Sequence, residues 1–149
     1  VAHPLSPRVA ALTAMEAAAG VDSDGYYSAF QARVEAIKDD LVAFLIDARR
    51  RGVRVGAYGA AAKGNTLLNF AGVRPDLLPY VVDRNPAKIG KLMPGSHIPI
   101  VDEARRRADR PGVILILPWN LEDEIVEQLG YARAWGARFA TAIPSLEID

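Results

Sequence analysis

The stretch Arg51–Gly72, RGVRVGAYGAAAKGNTLLNFAG, decides the fold. Val53, Val55 and Ala57 alternate with Arg54, Gly56 and Tyr58, the two-residue period of a strand that buries at least one apolar side. The turn that follows, Gly59-Ala60-Ala61-Ala62-Lys63-Gly64, carries no side chain larger than a methyl group apart from one lysine. Small residues there let a ligand approach the backbone, and the helix beyond offers free N–H groups and the positive end of its dipole. Strand, glycine turn and helix in that order are suited to holding an anion outside the carboxyl end of a strand.

Upstream, Ser6-Pro7 is an N-cap and first-turn pair, and Val9, Leu12, Met15 and Ala19 recur at helical spacing until Gly20. After the turn Val21–Gly25 a long helix is expected from about Tyr26 to Arg50. Its apolar positions Tyr27, Phe30, Val34, Ile37, Leu41, Phe44, Leu45 and Ala48 share one face. Arg49, Arg50 and Arg51 before Gly52 form a basic helix end with a glycine cap.

Downstream, Tyr80-Val81-Val82 reads as a strand, and Ile98-Pro99-Ile100-Val101 as an edge piece or connection because of its proline. Asp102 is the expected N-cap of a short helix to Ala108. Val113–Leu117 is apolar on both faces, as in the middle of a covered parallel sheet. A helix is expected from Leu121 to Trp135, then a last strand Arg138–Ala142. The alternation predicts an α/β fold, a Rossmann-like, doubly wound, mostly parallel sheet preceded by one or two N-terminal helices. Residues 1–25 are assigned to an N-terminal helical segment and 26–149 to the Rossmann-like domain.

The composition narrows the function. Eighteen basic residues balance eighteen acidic ones, so no basic excess favours nucleic acid or a membrane surface. With no cysteine and two histidines, thiolate chemistry is absent and no structural zinc site is expected. No apolar run approaches the about 18 residues of a membrane span. The first residues do not read as a signal peptide, and the expected compartment is the cytoplasm. There is no Ser-His-Asp set and no paired-carboxylate motif. Glu122, Asp123, Glu124 and Glu127 suit the first turns of a helix.

Candidate residues gather after the strands. The spacing Gly56-x-x-Gly59-x-x-x-x-Gly64 is neither a dinucleotide fingerprint nor a Walker A loop. It points to a phosphate-bearing ligand, with a tight turn made for packing as the alternative. Lys63 favours the ligand, since a cation at a helix N-terminus is opposed by the dipole unless an anion joins it. Asp83 either holds a ribose diol or caps the turn at Asn85-Pro86. Arg84 and Lys88 either neutralise a phosphate or face water. Trp119 either stacks on a base or sugar or seals the core edge. Asn120 is an N-cap first and a ligand contact second. His97 is a loop residue that becomes a donor if its loop folds over the cleft.

Three segments, GAYGAAAKGNTLLNF (56–70), YVVDRNPAKIGKLMPGSHIPIV (80–101) and VILILPWNLEDEIVEQL (113–129), resemble the C-terminal domain of SAM-dependent sugar C-methyltransferases. The resemblance covers Tyr26 to Pro144. It implies enzymes acting on nucleotide-linked deoxysugars, with a cysteine-rich zinc domain and a SAM-binding domain ahead of this one. By that resemblance SAM and catalysis belong to the earlier domains, the chain alone has no methyltransferase activity, and no cofactor is expected in it. Its expected partners are a nucleotide-sugar and those two domains. Gly59, Ala60, Ala61, Lys63 and Asn65 would face the diphosphate, and Asp83, Asn85, His97 and Trp119 would line the same cleft. Two alternatives from other classes are a free-standing nicotinamide or coenzyme A binding domain and a non-binding module used for packing or dimerisation.

Overall fold

A computed structural model describes residues 6–149. Contacts divide the chain into two compact units, one ending at Ala36 and the other running from Ile37 to Asp149.

In the first unit, helix α1 (Pro7–Ala18) starts as expected. Ser6 is the N-cap, its side chain accepts from the Arg8 N–H, and Pro7 fills the first helical position. The expected long helix is interrupted. A short helix α2 (Asp24–Ser28) stops at Ala29, and α3 (Phe30–Arg50) begins afresh. The Ser28 hydroxyl donates to the Gly25 carbonyl at 2.8 Å, the local bonding by which serine competes with helix continuation. Tyr27 and Phe30 are exposed, whereas Leu41, Leu45 and Ala48 of the same stripe are buried.

The second unit is a mixed α/β structure around a six-stranded, mostly parallel sheet. Its strands are β1 (Val55–Tyr58), β2 (Val81–Val82), β3 (Ile100–Val101), β4 (Val113–Ile116), β5 (Arg138–Thr141) and β6 (Glu147–Ile148), in spatial order β3-β2-β1-β4-β5-β6. β6 runs antiparallel to β5 and the other pairings are parallel. All four residues of β1 and of β4 are buried, because the sheet is covered on both faces. Alternation sorts the strand residues into two cores. Val55, Ala57, Val81, Val113 and Leu115 meet Leu41 and Leu45 of α3 and Leu67 and Leu68 of α4 (Ala62–Phe70). Tyr58, Val82, Ile114, Ile116 and Phe139 meet Ile125 and Leu129 of α6 (Glu122–Leu129) on the other face.

The expected edge position of the Ile98–Val101 segment is realised, since β3 ends the sheet. Asp102 caps α5 (Glu103–Asp109) by accepting from the Arg105 N–H at 3.1 Å. The helix expected from Leu121 to Trp135 is three pieces. A 3₁₀ turn (Trp119–Leu121) precedes α6, and a second 3₁₀ segment (Gly130–Trp135) follows it. Gly130, at φ −52° and ψ −27°, adopts the tighter winding that a glycine tolerates after an α-helix. β6 has no counterpart in the sequence reading. Among the described residues, no helix is long and apolar enough to cross a membrane.

Candidate functional site at the carboxyl edge of the sheet

β1 delivers the chain to Gly59, whose φ of +86° turns it toward α4. Only glycine fits there on a second count, because a Cβ would lie 2.5 Å from Cγ of Pro118. Gly64, read from the sequence as the end of the turn, is instead inside α4, which starts at Ala62. Its missing side chain has a packing cause: a Cβ at Gly64 would stand 2.5 Å from Cβ of Leu117. The helix therefore lies hard against the end of β4.

The turn's first free amide is already occupied. The Ala60 N–H donates to Oδ2 of Asp83 at 2.8 Å, and Lys88 Nζ donates to the same oxygen at 3.1 Å and to the Ala60 carbonyl at 2.8 Å. Oδ1 of Asp83 accepts from the Asn85 N–H at 2.8 Å, and Asn85 Oδ1 accepts from Ala87 N–H at 2.9 Å. Asp83 thus caps the turn at Asn85-Pro86 and also ties β2 to the glycine turn. Burial works against its charged form, but the Asn85 amide, Lys88 and the Ala60 amide outweigh it and hold the carboxyl below the ordinary aspartate range.

Lys63 and Trp119 do come together. Lys63 Nζ lies 4.7 Å from the Trp119 ring centre and donates to Oδ1 of Asn120. Asn120 is therefore not the N-cap of α6. It sits inside the preceding 3₁₀ turn, and its side chain serves Lys63. Trp119 is half-buried and packs on the first core, so it seals the core edge while keeping one face beside Lys63. Asn65 is in the first turns of α4, its Oδ1 buried with no hydrogen-bond partner. Ala61 is the cap residue of α4 and donates its N–H to the Gly59 carbonyl at 2.7 Å.

His97 is not brought to this edge. The chain from Gly90 to Ile100 folds back on itself, with Leu92 bridged antiparallel to Pro99, and His97 stands near its tip at φ +58°. That tip is held by Asn69 Nδ2 on the Pro94 carbonyl at 2.9 Å and by Arg74 on the Gly95 carbonyl at 2.7 Å. Asn69 lies in the last turn of α4 and Arg74 in the connection into β2, so His97 belongs to the amino end of the sheet.

Beside Asp83 a cavity of about 380 Å³ opens on the second face, which the sequence reading did not anticipate. Tyr58, Arg84, Glu103, Arg107, Gln128 and Tyr131 line it. Under its wall lies Arg106, 1% exposed, whose Nη2 bonds Glu103 and, at 2.6 Å, the Tyr131 hydroxyl. Nothing in the run Arg105-Arg106-Arg107 marks its middle member as buried.

Three hydrogen bonds from within the chain reach the Asp83 carboxylate, two on Oδ2 and one on Oδ1, which leaves Oδ1 a further acceptor position. Among the described residues, no group of three or more histidine or acidic side chains could hold a metal ion.

Comparison with known proteins adds the family. The sequence model for the C-methyltransferase C-terminal domain matches residues 1–144. The C-methyltransferase NovU of Streptomyces niveus is 30% identical over 142 residues. That match takes in 95% of this chain but 34% of the relative, so the chain spans about a third of that protein's length.

Proposed function

This chain belongs to the C-methyltransferase C-terminal domain family, and from that premise we propose that it helps to bind a nucleotide-linked sugar for a SAM-dependent C-methyltransferase of the cytoplasm. The methyl donor, and the residues that move the methyl group, lie in other domains, so the chain by itself transfers no methyl group. We read the unit from Ile37 as a Rossmann-like, doubly wound domain. The strand order β3-β2-β1-β4-β5-β6 and the helices on both faces support that reading.

One observation carries the proposal. Lys63, Asn120 and Trp119, from two different strand ends, form a ledge beside the glycine turn that joins a cation, an amide and an aromatic face. Such a ledge can pair with a phosphate and stack a base or sugar ring. The test is calorimetric titration of this chain with thymidine diphosphate, repeated with Lys63→Ala. Binding weakened by about 1–3 kcal/mol, the scale of a charged hydrogen bond, supports the ledge. Binding equally tight in the variant rejects it, and any methyl transfer from SAM by the chain alone rejects the division of labour.

One observation favours a second reading, that of a packing module. Asp83 already supplies the Ala60 amide with a negative partner. Absence of affinity for any nucleotide in the folded wild-type chain would decide for it.

A further inference from the structure

We propose that the cavity on the second face is a binding site for a phosphate group, recognised by Arg84 and Arg107 and separate from the Lys63 ledge. The argument rests on which charges in the cavity already have partners. Asp83 is paired with Lys88, whereas Asp102 accepts only the neutral Arg105 amide, so its negative charge stands against the arginines. Glu103 is shared by two guanidinium groups, bonding Arg106 Nη2 and standing 3.3 Å from Arg107 Nε. Two cations on one carboxylate leave positive charge uncompensated. Arg84 adds to it, because among the described residues it has no carboxylate partner, so Arg84, Arg106 and Arg107 together outnumber Glu103 and Asp102 by one charge. Its neighbour is the neutral amide of Gln128. In the orientation that satisfies both sides, that amide donates to the Tyr58 hydroxyl at 3.3 Å and accepts from Arg84.

Arg106 strengthens the case from below. Its Nε and Nη1 are buried and have no acceptor, although the Tyr58 and Tyr131 rings lie 5.2 and 5.7 Å away. A guanidinium desolvated without full pairing is costly, and an anion in the space above Tyr58 would lower that cost through its field. The walls also suit an anion's organic part. Arg107 stacks on Tyr131 at 3.8 Å, while Ile89 and Leu129 supply apolar surface. About 380 Å³ lies within the range of small-ligand pockets. The negative group is a phosphate, which planar guanidinium forks match in pairs. It comes either from the diphosphate of the nucleotide-linked sugar or from a separate phosphate ester.

Inorganic pyrophosphate, which has neither base nor sugar, is the probe. Titrated into the wild-type chain at low salt, it should perturb the NMR signals of the Tyr58 and Tyr131 rings. Arg84→Gln and Arg107→Gln should each weaken this tyrosine-reported binding about tenfold or more. A thymidine-diphosphate sugar that displaces the pyrophosphate, and is itself weakened by Arg84→Gln, identifies the source as the sugar nucleotide. Simultaneous binding identifies a separate phosphate ester. Pyrophosphate that leaves the Tyr58 and Tyr131 signals unmoved at millimolar concentration in the folded wild-type chain, or moves them equally in both arginine variants, overturns the proposal. Perturbation of Trp119 without the two tyrosines overturns this inference while leaving the ledge intact, so the two readings fail separately.

Discussion

The carboxylate of Asp83, at the end of β2, accepts the Ala60 N–H of the glycine turn at 2.8 Å. The anion that the turn was expected to draw from a ligand is thus supplied in part by the chain itself. That places a mainly structural burden on Asp83: it joins the exits of β1 and β2 and holds Lys88 against the Ala60 carbonyl.

The Asp83→Asn variant should therefore lose stability, by about 1–3 kcal/mol for a largely buried, charge-assisted pair of hydrogen bonds. The sign of its pH dependence follows from the lowered carboxyl pKa. In the unfolded chain an aspartate titrates at about 3.9. The contribution of Asp83 is then fully present above that value and is lost as pH falls through the lower folded-state value. Urea unfolding of both proteins at pH 7 and pH 3 measures this. The gap between them should be wide at pH 7 and narrower at pH 3. A constant gap would mean that charge has no part in the link.

Gly64 provides a steric prediction with a built-in control. A methyl group there meets Cβ of Leu117 at 2.5 Å, and Leu117 is fully buried, so the neighbour cannot swing aside. Gly64→Ala should destabilise by about 1–3 kcal/mol, the cost of overpacking, despite alanine's better helix propensity. Gly130 has a helical φ of −52° and nothing within 4 Å of a built Cβ. Gly130→Ala should be neutral or stabilising by up to about 1 kcal/mol. Thermal melts of the two variants should move in different directions. A Gly64→Ala protein as stable as the wild type would show that the tight approach of α4 to β4 relaxes freely.

The contrast between these glycines also shows what could be read from the sequence. The order of strands and helices in the second unit was legible, because β1 and β4 carry unbroken apolar runs and α4 follows a glycine turn. The meeting of Lys63 with Trp119 follows from the same topology, since both leave the carboxyl ends of adjacent strands. Local competition was harder to see. Ser28 breaks a helix whose apolar spacing continues through it, and Gly130 converts a helix to 3₁₀ winding without altering the stripe. The position of His97 depends on a backbone reversal after β2, which no residue type announces. Arg106 is buried because Tyr58 and Tyr131 arrive from two other parts of the chain, while Glu103, one turn earlier on the same helix, pairs with it. The strand β6 is two residues long and is held by the side chain of Asp149 accepting the Phe139 N–H at 2.7 Å, which leaves no periodic signal.

Tyr80 and Tyr58 are expected to titrate late. Burial is the main cause in both, and for Tyr80 the hydrogen bond from its hydroxyl to Oδ2 of Asp109, 3.0 Å long, adds to it. A raised folded-state pKa on a phenol favours the neutral form. Its contribution is present below the unfolded value of about 10 and disappears as pH rises through the folded value. Spectrophotometric titration at the phenolate band should show a late component, which Tyr80→Phe and Tyr58→Phe each reduce. Tyr80→Phe should also cost about 0.5–1.5 kcal/mol near neutral pH, the net worth of one hydrogen bond. A late component as large in both variants as in the wild type would mean that neither ring contributes to it and that both are more accessible than their packing implies.

Trp119 seals the core edge and belongs to the proposed ledge, two roles that substitutions can separate. One edge of the ring packs on the first core, and Lys63 rests 4.7 Å from its centre. Trp119→Phe keeps an aromatic face but shortens the ring, so it should retain most of the affinity for thymidine diphosphate at a small stability cost. Trp119→Ala removes both functions. It should destabilise by about 2–4 kcal/mol, below or within the range for a fully buried aromatic, and weaken nucleotide binding by about 0.5–1.5 kcal/mol for the lost aromatic contact. Titration must be carried out where the alanine variant is still folded, as checked by near-ultraviolet circular dichroism. Unchanged affinity in that folded variant would assign Trp119 to the core alone and leave Lys63 and Asn120 as the remaining ligand-facing part of the ledge.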